Sequence, residues 1–209
     1  MSESIEFPAA HVRPLADEEL ADVEDIISVS QRASGYTPTS LRLMARKPSI
    51  LRAFSGLFGA VMREEGEVPR AVKWLLAHSV SSAAGCRYCQ AHTAANGTKA
   101  GIDPAKTAAL LEFETSALFS EAERAVIAFG LSAGTTPNAV EPTHFDALRA
   151  HYSEDALVEL TAVVSVFGWL NRWNDTLASD LETAPLAFAA THLSARGWNV
   201  GKHAAEEEA

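Results

Sequence analysis

The two cysteines of the chain, Cys86 and Cys89, are separated by only two residues, and His92 follows three positions after the second one. Thiols at this spacing can form a disulfide across one helical turn, and thiol–disulfide exchange is fast when one of them is a thiolate. A neighbouring imidazole favours the thiolate by accepting the proton. The segment therefore predicts thiol redox chemistry, which requires no haem, flavin or other cofactor.

The same residues allow two other interpretations. Buried cysteines pack like small apolar side chains, and Cys86, Cys89 and His92 could supply three zinc ligands, with His78 or water as the fourth. A structural zinc site normally has a second ligand pair downstream, and the sequence contains no further Cys-x-x-Cys and no His-x-x-x-His pair. The sequence therefore favours redox chemistry over a metal site.

Charge and hydropathy limit the expected partners. The chain has 17 Lys and Arg residues against 27 Asp and Glu, and its formal charge of −10 repels nucleic acid and anionic lipid surfaces. The sequence begins without a basic, apolar leader, and no apolar run has the length of a membrane span. We therefore expect no nucleic-acid or membrane partner and a cytoplasmic location, where a cysteine pair serves in catalysis.

Helix signals recur along the chain, and alternating β-branched runs are nearly absent. The sequence predicts one all-α domain over residues 1–209, with a disordered acidic tail from about 203 to 209. Helices are expected at the following places: Asp17 to Ser30, from Pro38, from Pro48, from Pro69 to before Gly85, after Asp103, after Ser120 with Glu123, and after Ser153.

Two of these helices bear on function. One should begin near Cys86 and end at Asn96–Gly97, because Asn-Gly favours the left-handed conformation; the dipole at its start should lower the pKa of the Cys86 thiol. The helix after Ser153 is almost wholly apolar, so it should be central or covered by other subunits. Within it, Arg172 and Asp175 are spaced for an ion pair.

The ordered set of motifs resembles the carboxymuconolactone decarboxylase and alkylhydroperoxidase-D-like family, especially its peroxidase-related branch. The likeness covers about residues 35–182 and rests on Leu41 to Pro48, Ser79 to Gly85, Cys86 to Thr93, and Phe167 to Arg172. It implies an antiparallel helical bundle that assembles as a trimer or hexamer. It also implies that Cys89 attacks the peroxide and that Cys86 resolves the sulfenic acid as a disulfide, although the helix dipole favours Cys86 as the more acidic thiol.

The sequence departs from the family pattern at two positions. The relay glutamate of the family falls twelve residues before the first cysteine, where this chain has Trp74. The family histidine lies four residues after the second cysteine, where this chain has Thr93, with His92 one position earlier. His92 can still reach Cys89 on the same helix face. His78, one turn after Trp74, is the nearest candidate to replace part of the relay.

The sequence thus predicts a cofactor-free peroxidase that reduces hydrogen peroxide or organic hydroperoxides and is regenerated by an unidentified thiol or protein reductant. Its candidate catalytic residues are Cys89, Cys86, His92 and His78. The alternatives are a dithiol oxidoreductase without peroxidase activity, a lactone decarboxylase acting on a small anion, and a redox-sensing oligomer.

Overall fold

The computed structural model describes residues 8–204, which form ten α-helices and five short 3-10 helices and contain no β-strand. The predicted all-α class is confirmed. The α-helices are α1 Glu24–Ser34, α2 Thr39–Met44, α3 Pro48–Met62, α4 Arg70–Ala84, α5 Arg87–Lys99, α6 Pro104–Ala108, α7 Glu121–Ala133, α8 Pro142–Arg149, α9 Glu154–Leu177 and α10 Thr183–His192. The 3-10 helices are Asp17–Glu19, Ala21–Val23, Leu110–Glu112, Ser194–Arg196 and Gly201–His203.

Helix α4 is the centre of the bundle and packs against α5, α7 and α9. The contact with α7 is close because α7 presents glycine there. A Cβ atom on Gly130 would lie 2.7 Å from Leu76 Cδ1 and from Ser79 Cβ, and one on Gly134 would lie 2.7 Å from the Val80 carbonyl oxygen. These contacts hold α4 rigidly, and α4 in turn supports the cysteine helix α5.

The local signals for helix ends are largely confirmed. Gly85 terminates α4 in the left-handed conformation, with φ of 74°. Ser120 and Glu123 form the predicted capping box at the start of α7, and the side chains of Asp103 and Ser153 cap α6 and α9. In place of one helix from Asp17 to Ser30, two 3-10 turns precede α1.

The predicted end of α5 at Asn96–Gly97 is wrong, because α5 continues to Lys99. Gly97 serves close packing: a Cβ atom there would lie 3.1 Å from Ile102 Cδ1 and 3.7 Å from Trp74 Cβ. The left-handed residue of this turn is Gly101, with φ of +98°.

The chain after α10 also differs from expectation. The sequence predicted that a disordered tail begins at about residue 203. In the structure, His203 is buried in the last 3-10 helix, with 1% of its surface exposed. Residues 205–209 lie outside the described residues. The predicted ion pair of Arg172 with Asp175 is wrong as well. Asp175 pairs with Lys202 at 2.9 Å, because the returning C-terminal segment brings this lysine to α9.

The long helix α9 packs against α3, α4, α5 and α8 but keeps an apolar surface exposed, with Trp169 at 38% and Val158 at 70%. Its coverage by other subunits stays a prediction. Between residues 8 and 204, no helix has both the length and the apolar character that would let it cross a membrane.

Candidate active site

Cys86 occupies the N-cap position of α5. Its backbone is extended, with φ of −74° and ψ of 104°, and its Sγ accepts a hydrogen bond from the Cys89 N–H at 3.4 Å. Serine or aspartate usually makes this bond at a helix start. The left-handed Gly85 just before it turns the chain from α4 into α5, so the two thiols meet at the first turn. Both are free thiols in this structure.

Both thiols are buried, but their surroundings differ. Cys86 has 0% of its surface exposed. The C-terminal segment covers it: the indole N–H of Trp198 donates to the Arg87 carbonyl at 3.4 Å, and His203 lies beside the Cys86 sulfur. Cys89 has 3% of its surface exposed and borders a cavity.

The cavity has a volume of about 420 Å³, and its lining is largely apolar. Aromatic side chains form much of its wall, together with Cys89 and His92: Phe54, Phe58, Trp74, Tyr88 and Phe167. The charged residues that line it are all basic, namely Arg63, Arg70 and Lys99, and all three are exposed. The cavity therefore suits an apolar, aromatic molecule and favours an anionic one over a cationic one.

The hydrogen bond from the Cys89 thiol lowers the pKa of Cys86 to about 6 despite burial, with further help from His203 and the Cys89 N–H. Burial and the neighbouring Cys86 raise the pKa of Cys89 well above its usual value. The reduced pair therefore shares one proton at neutral pH, carried by Cys89. Asn174 Nδ2, held by the Ser179 hydroxyl on its Oδ1, donates to Cys89 Sγ at 3.5 Å and can stabilise negative charge there.

His92 projects into the same cavity and is held by a carboxylate. Its Nε2 lies 2.6 Å from Glu182 Oε2, and its Nδ1 lies 3.3 Å from the Tyr36 hydroxyl. The Tyr88 hydroxyl donates to the other oxygen of Glu182 at 2.9 Å. Within residues 8–204 no hydrogen bond joins His92 directly to Cys86 or Cys89, so His92 can act on a molecule in the cavity.

Glu182 is ionised although it is buried. Burial opposes its ionisation, but His92 and the N–H groups of Thr39 and of Glu182 itself outweigh this effect and lower its pKa below the usual value. Although Trp74 stands at the position where the family pattern predicts a relay glutamate, a carboxylate does lie beside His92. Trp74 itself forms part of the cavity wall. The carboxylate comes instead from the residue just before α10.

His78 lies elsewhere. It is 3% exposed, its Nδ1 is 2.9 Å from the Thr93 hydroxyl, and burial lowers its pKa to about 4. It does not border the cavity. Because His78 faces Thr93 and His92 faces Glu182, the four zinc ligands considered from the sequence are not brought together.

On the far side of Cys86, the ligand-type atoms of Cys86, Asp175 and His203 lie within 4.8 Å of one another. Within residues 8–204 this is the one group of three or more cysteine, histidine or acidic side chains that converges in this way. Asp175 also forms an ion pair with Lys202 at 2.9 Å.

The sequence identified the cysteines and His92 by their spacing but missed Glu182, Asn174 and His203. Each is far from the motif along the chain: Asn174 lies in α9, Glu182 at the start of α10, and His203 in the segment after α10. No local spacing signals them. Asp180 and Glu182 both lie between α9 and α10, and nothing in the sequence distinguishes Glu182 as the partner of His92.

Comparisons with known proteins agree on the family. The carboxymuconolactone decarboxylase family matches residues 48–131. The uncharacterized protein YnjA of Escherichia coli strain K12 is 25% identical over 147 residues, which are 70% of this chain and 81% of YnjA.

Solved structures show the same fold. The debrominase Bmp8 without ligand is 35% identical, with a TM-score of 0.79 over 86% of this chain and 96% of that one. Its cysteine-to-alanine variant in complex with 2,3,4-tribromopyrrole is 33% identical, with a TM-score of 0.79 over 90% of this chain and 99% of that one. A peroxidase-related protein from Ralstonia eutropha JMP134, with an alkylhydroperoxidase AhpD core, is 22% identical. Its TM-score is 0.75 over 87% of this chain and 96% of that one.

Proposed function

Because the chain belongs to the carboxymuconolactone decarboxylase family, as its ordered set of motifs predicted, we propose that it is a dithiol-dependent reductase of small apolar substrates. In this proposal Cys89 attacks the substrate and Cys86 closes a disulfide. The observation that carries the proposal is the position of Cys89 at the wall of the aromatic cavity, while Cys86 lies behind it, in contact with its backbone N–H.

The size of the cavity selects among substrates. Its volume of about 420 Å³ lies within the range of sites for organic ligands, roughly 300–1,000 Å³. Hydrogen peroxide is close to water in size, and a water molecule occupies about 30 Å³. A substrate with an apolar or aromatic body therefore fits better than hydrogen peroxide itself.

The first candidate reaction is the reductive dehalogenation of a small halogenated aromatic compound. Debrominase Bmp8 supports it, since it is 33–35% identical over most of this chain and one of its structures holds a brominated pyrrole. The basic residues Arg63, Arg70 and Lys99 favour substrates whose acidic N–H or O–H group ionises easily.

The steps balance with the two thiols as reductant. Cys89 passes its proton to the Cys86 sulfur and attacks the halogen, the carbon–halogen electron pair passes to carbon, and the carbon takes a proton from His92. Cys86 then releases its proton, attacks Cys89 sulfur and displaces halide, which leaves a disulfide, and His92 takes up a proton again. The net change converts the aryl halide, one thiol and one thiolate into the arene, a disulfide and a halide ion.

His92 is the proposed proton donor, and Glu182 its positioning residue. Glu182 holds Nε2 at 2.6 Å, whereas Nδ1 has only the longer contact of 3.3 Å with the Tyr36 hydroxyl, so Nδ1 is the proposed source of the transferred proton. The buried carboxylate stabilises the charged ring and fixes its orientation. His78 has no place in this mechanism, and we propose a structural role for it.

A second candidate is the reduction of organic hydroperoxides, which the His92–Glu182 pair beside Cys89 favours because the leaving alkoxide needs a proton. Here Cys89 attacks the terminal peroxide oxygen, giving an alcohol and a sulfenic acid. Cys86 then releases water and forms the disulfide. In either reaction an external thiol must reduce the disulfide.

Single-turnover assays on the reduced protein test the proposal. 2,3,4-Tribromopyrrole, cumene hydroperoxide and hydrogen peroxide are each added, and bromide release and thiol loss are followed with time. We expect bromide release to match the disulfide formed, and the cumene compound to react faster than hydrogen peroxide. Protein that loses no thiol with any of the three would contradict the proposed function.

A further inference from the structure

His203 is fixed in one tautomer. Its own backbone carbonyl accepts a hydrogen bond from the Leu181 N–H at 2.9 Å, and its Nδ1 lies 2.9 Å from the Ser179 carbonyl oxygen. Because a carbonyl oxygen can only accept a hydrogen bond, Nδ1 carries the proton. The neutral ring is therefore left with an unprotonated Nε2.

This Nε2 is buried and has no hydrogen-bond partner among residues 8–204. Asp175 Oδ1 lies 3.7 Å away, and the sulfur of Cys86 is within 4.8 Å of a ring nitrogen of His203 and of the Asp175 carboxylate. A buried, unpartnered acceptor is unfavourable unless something uses it. Because Nδ1 is held by Ser179, Nε2 is the nitrogen that is free to accept a proton from Cys86 when that sulfur carries one.

We propose that His203 is the base that accepts the proton of Cys86 when this thiol closes the disulfide. The inference rests on the dithiol cycle proposed above. When Cys89 attacks the substrate, its shared proton passes to the Cys86 sulfur. His203 Nε2 then takes this proton, and the Cys86 thiolate attacks Cys89 sulfur to form the S–S bond. In the hydroperoxide reaction the S–O bond breaks and hydroxide leaves, which takes up a proton to become water. In the dehalogenation the S–halogen bond breaks and halide leaves.

The charges around His203 suit this role. Asp175 comes from α9 and faces Nε2, so its carboxylate stabilises the imidazolium, as the third member does in other thiol–imidazole–acid groups. Lys202, on the same 3-10 helix, pairs with Asp175 at 2.9 Å and moderates this effect. From α5, Cys86, the Tyr88 ring at 5.8 Å and the aliphatic part of Arg87 near Gly201 complete the surroundings.

The C-terminal segment thereby gains a function. It covers Cys86 from solvent and supplies the base, so the resolving thiol needs no access to the cavity. During regeneration an external thiol can attack Cys89 from the cavity, and Cys86 leaves as a thiolate beside a protonated His203.

A titration that requires no substrate tests the inference. In the Cys89→Ser protein, Cys86 is the only cysteine, and serine keeps a hydrogen-bond donor beside it. Thiolate ultraviolet absorbance is followed against pH with and without His203→Gln. We expect His203→Gln to raise the apparent pKa of Cys86 by about one unit or more, and the exposed His151→Gln to leave it unchanged.

The second measurement is the rate of disulfide closure in protein with both cysteines. After one equivalent of cumene hydroperoxide, His203→Gln should slow closure about tenfold or more while oxidation of Cys89 keeps its rate. If cumene hydroperoxide never oxidises Cys89, the hydroperoxide reaction fails, but the titration still tests His203. Asp175→Asn, which should shift the titration in the same direction, decides the matter if His203→Gln does not fold by circular dichroism.

Two results would overturn the inference. One is an unchanged thiolate titration in folded His203→Gln and Asp175→Asn proteins. The other is a stoichiometric zinc ion in the purified protein that is lost on His203→Gln, because Cys86 would then be a metal ligand and not a proton donor to His203.

Discussion

The two sulfurs of one helical turn lie in opposite kinds of environment. Cys89 faces an apolar cavity with aromatic walls, with His92 in the same wall and Asn174 beside its sulfur. Cys86 has no exposed surface and lies beside His203 and Asp175, of which the Asp175 side chain is 44% exposed. The cavity borders Cys89 and not Cys86.

Because of this difference, the more acidic of the two thiols is not the one that we propose reacts with the substrate. The more acidic thiol, Cys86, is the one that a substrate cannot reach, and the less acidic Cys89 is the one that it can. A thiolate must be accessible to act as a nucleophile, so in the proposed mechanism access decides the order of attack and acidity decides which sulfur leaves when the disulfide is reduced.

The largest effect should come from removing the cavity-facing thiol. Cys89→Ser should lower turnover by about 10³-fold or more, because the substrate then meets no nucleophile. Cys86→Ser should retain one rapid turnover per chain and then stop. Burst kinetics measure both, and a burst that survives in Cys89→Ser but not in Cys86→Ser would reverse the assigned roles.

The proton donor on the cavity side should matter next. His92→Ala should slow the first step about 10²-fold, and Glu182→Gln about 10- to 10²-fold, because the imidazolium loses its partner. Stopped-flow oxidation of Cys89 measures both variants, with the exposed Glu121→Gln as the matched control. A normal rate in folded Glu182→Gln protein would remove the carboxylate from the mechanism.

A carboxylate introduced at position 74 should not increase the rate of thiol oxidation. We expect Trp74→Glu to oxidise no faster than the unmodified protein, since Glu182 already supplies the charge to His92. Loss of the packed indole should cost about 3–5 kcal/mol of unfolding free energy. Thermal unfolding and stopped-flow rates check both parts. Faster oxidation by Trp74→Glu would show that the Glu182 contact is insufficient.

The smallest effect on activity should come from His78, which belongs to neither side. Burial lowers the pKa of His78 to about 4, against 6.5 for an exposed histidine. Between these values only the unfolded chain takes up the proton, so stability should fall as pH drops from 6.5 to 4, by about 3 kcal/mol in total. His78→Asn should flatten this pH dependence and preserve the rate at pH 7. A large loss of rate at unchanged stability would show that His78 takes part in the reaction.

The sequence predicted the features that depend on neighbouring residues. Capping residues marked the starts of α6, α7 and α9, and Gly85 marked the junction before the cysteine helix, because short hydrogen bonds and left-handed backbone depend on neighbouring residues. The Cys-x-x-Cys spacing identified the thiols and His92. Gly97 misled the prediction of the end of α5, since its small size served packing against Ile102 and not chain reversal.

The partners of these groups were not predictable by spacing. Glu182 reaches His92 across 90 residues, and His203 reaches Cys86 only because the chain after α10 returns to the start of α5. Such contacts depend on how α9 and α10 pack, which no short motif encodes. A missing family residue at Trp74 therefore does not imply a missing function.

The order in which the two sulfurs react is the central claim, and it can be measured directly. Reduced single-cysteine proteins, Cys86→Ser and Cys89→Ser, are each given one equivalent of cumene hydroperoxide in the presence of dimedone, and the labelled sulfur is identified by mass spectrometry. We predict rapid labelling of Cys89 in the Cys86→Ser protein and almost none of Cys86 in the Cys89→Ser protein. Faster labelling of Cys86 would contradict the account.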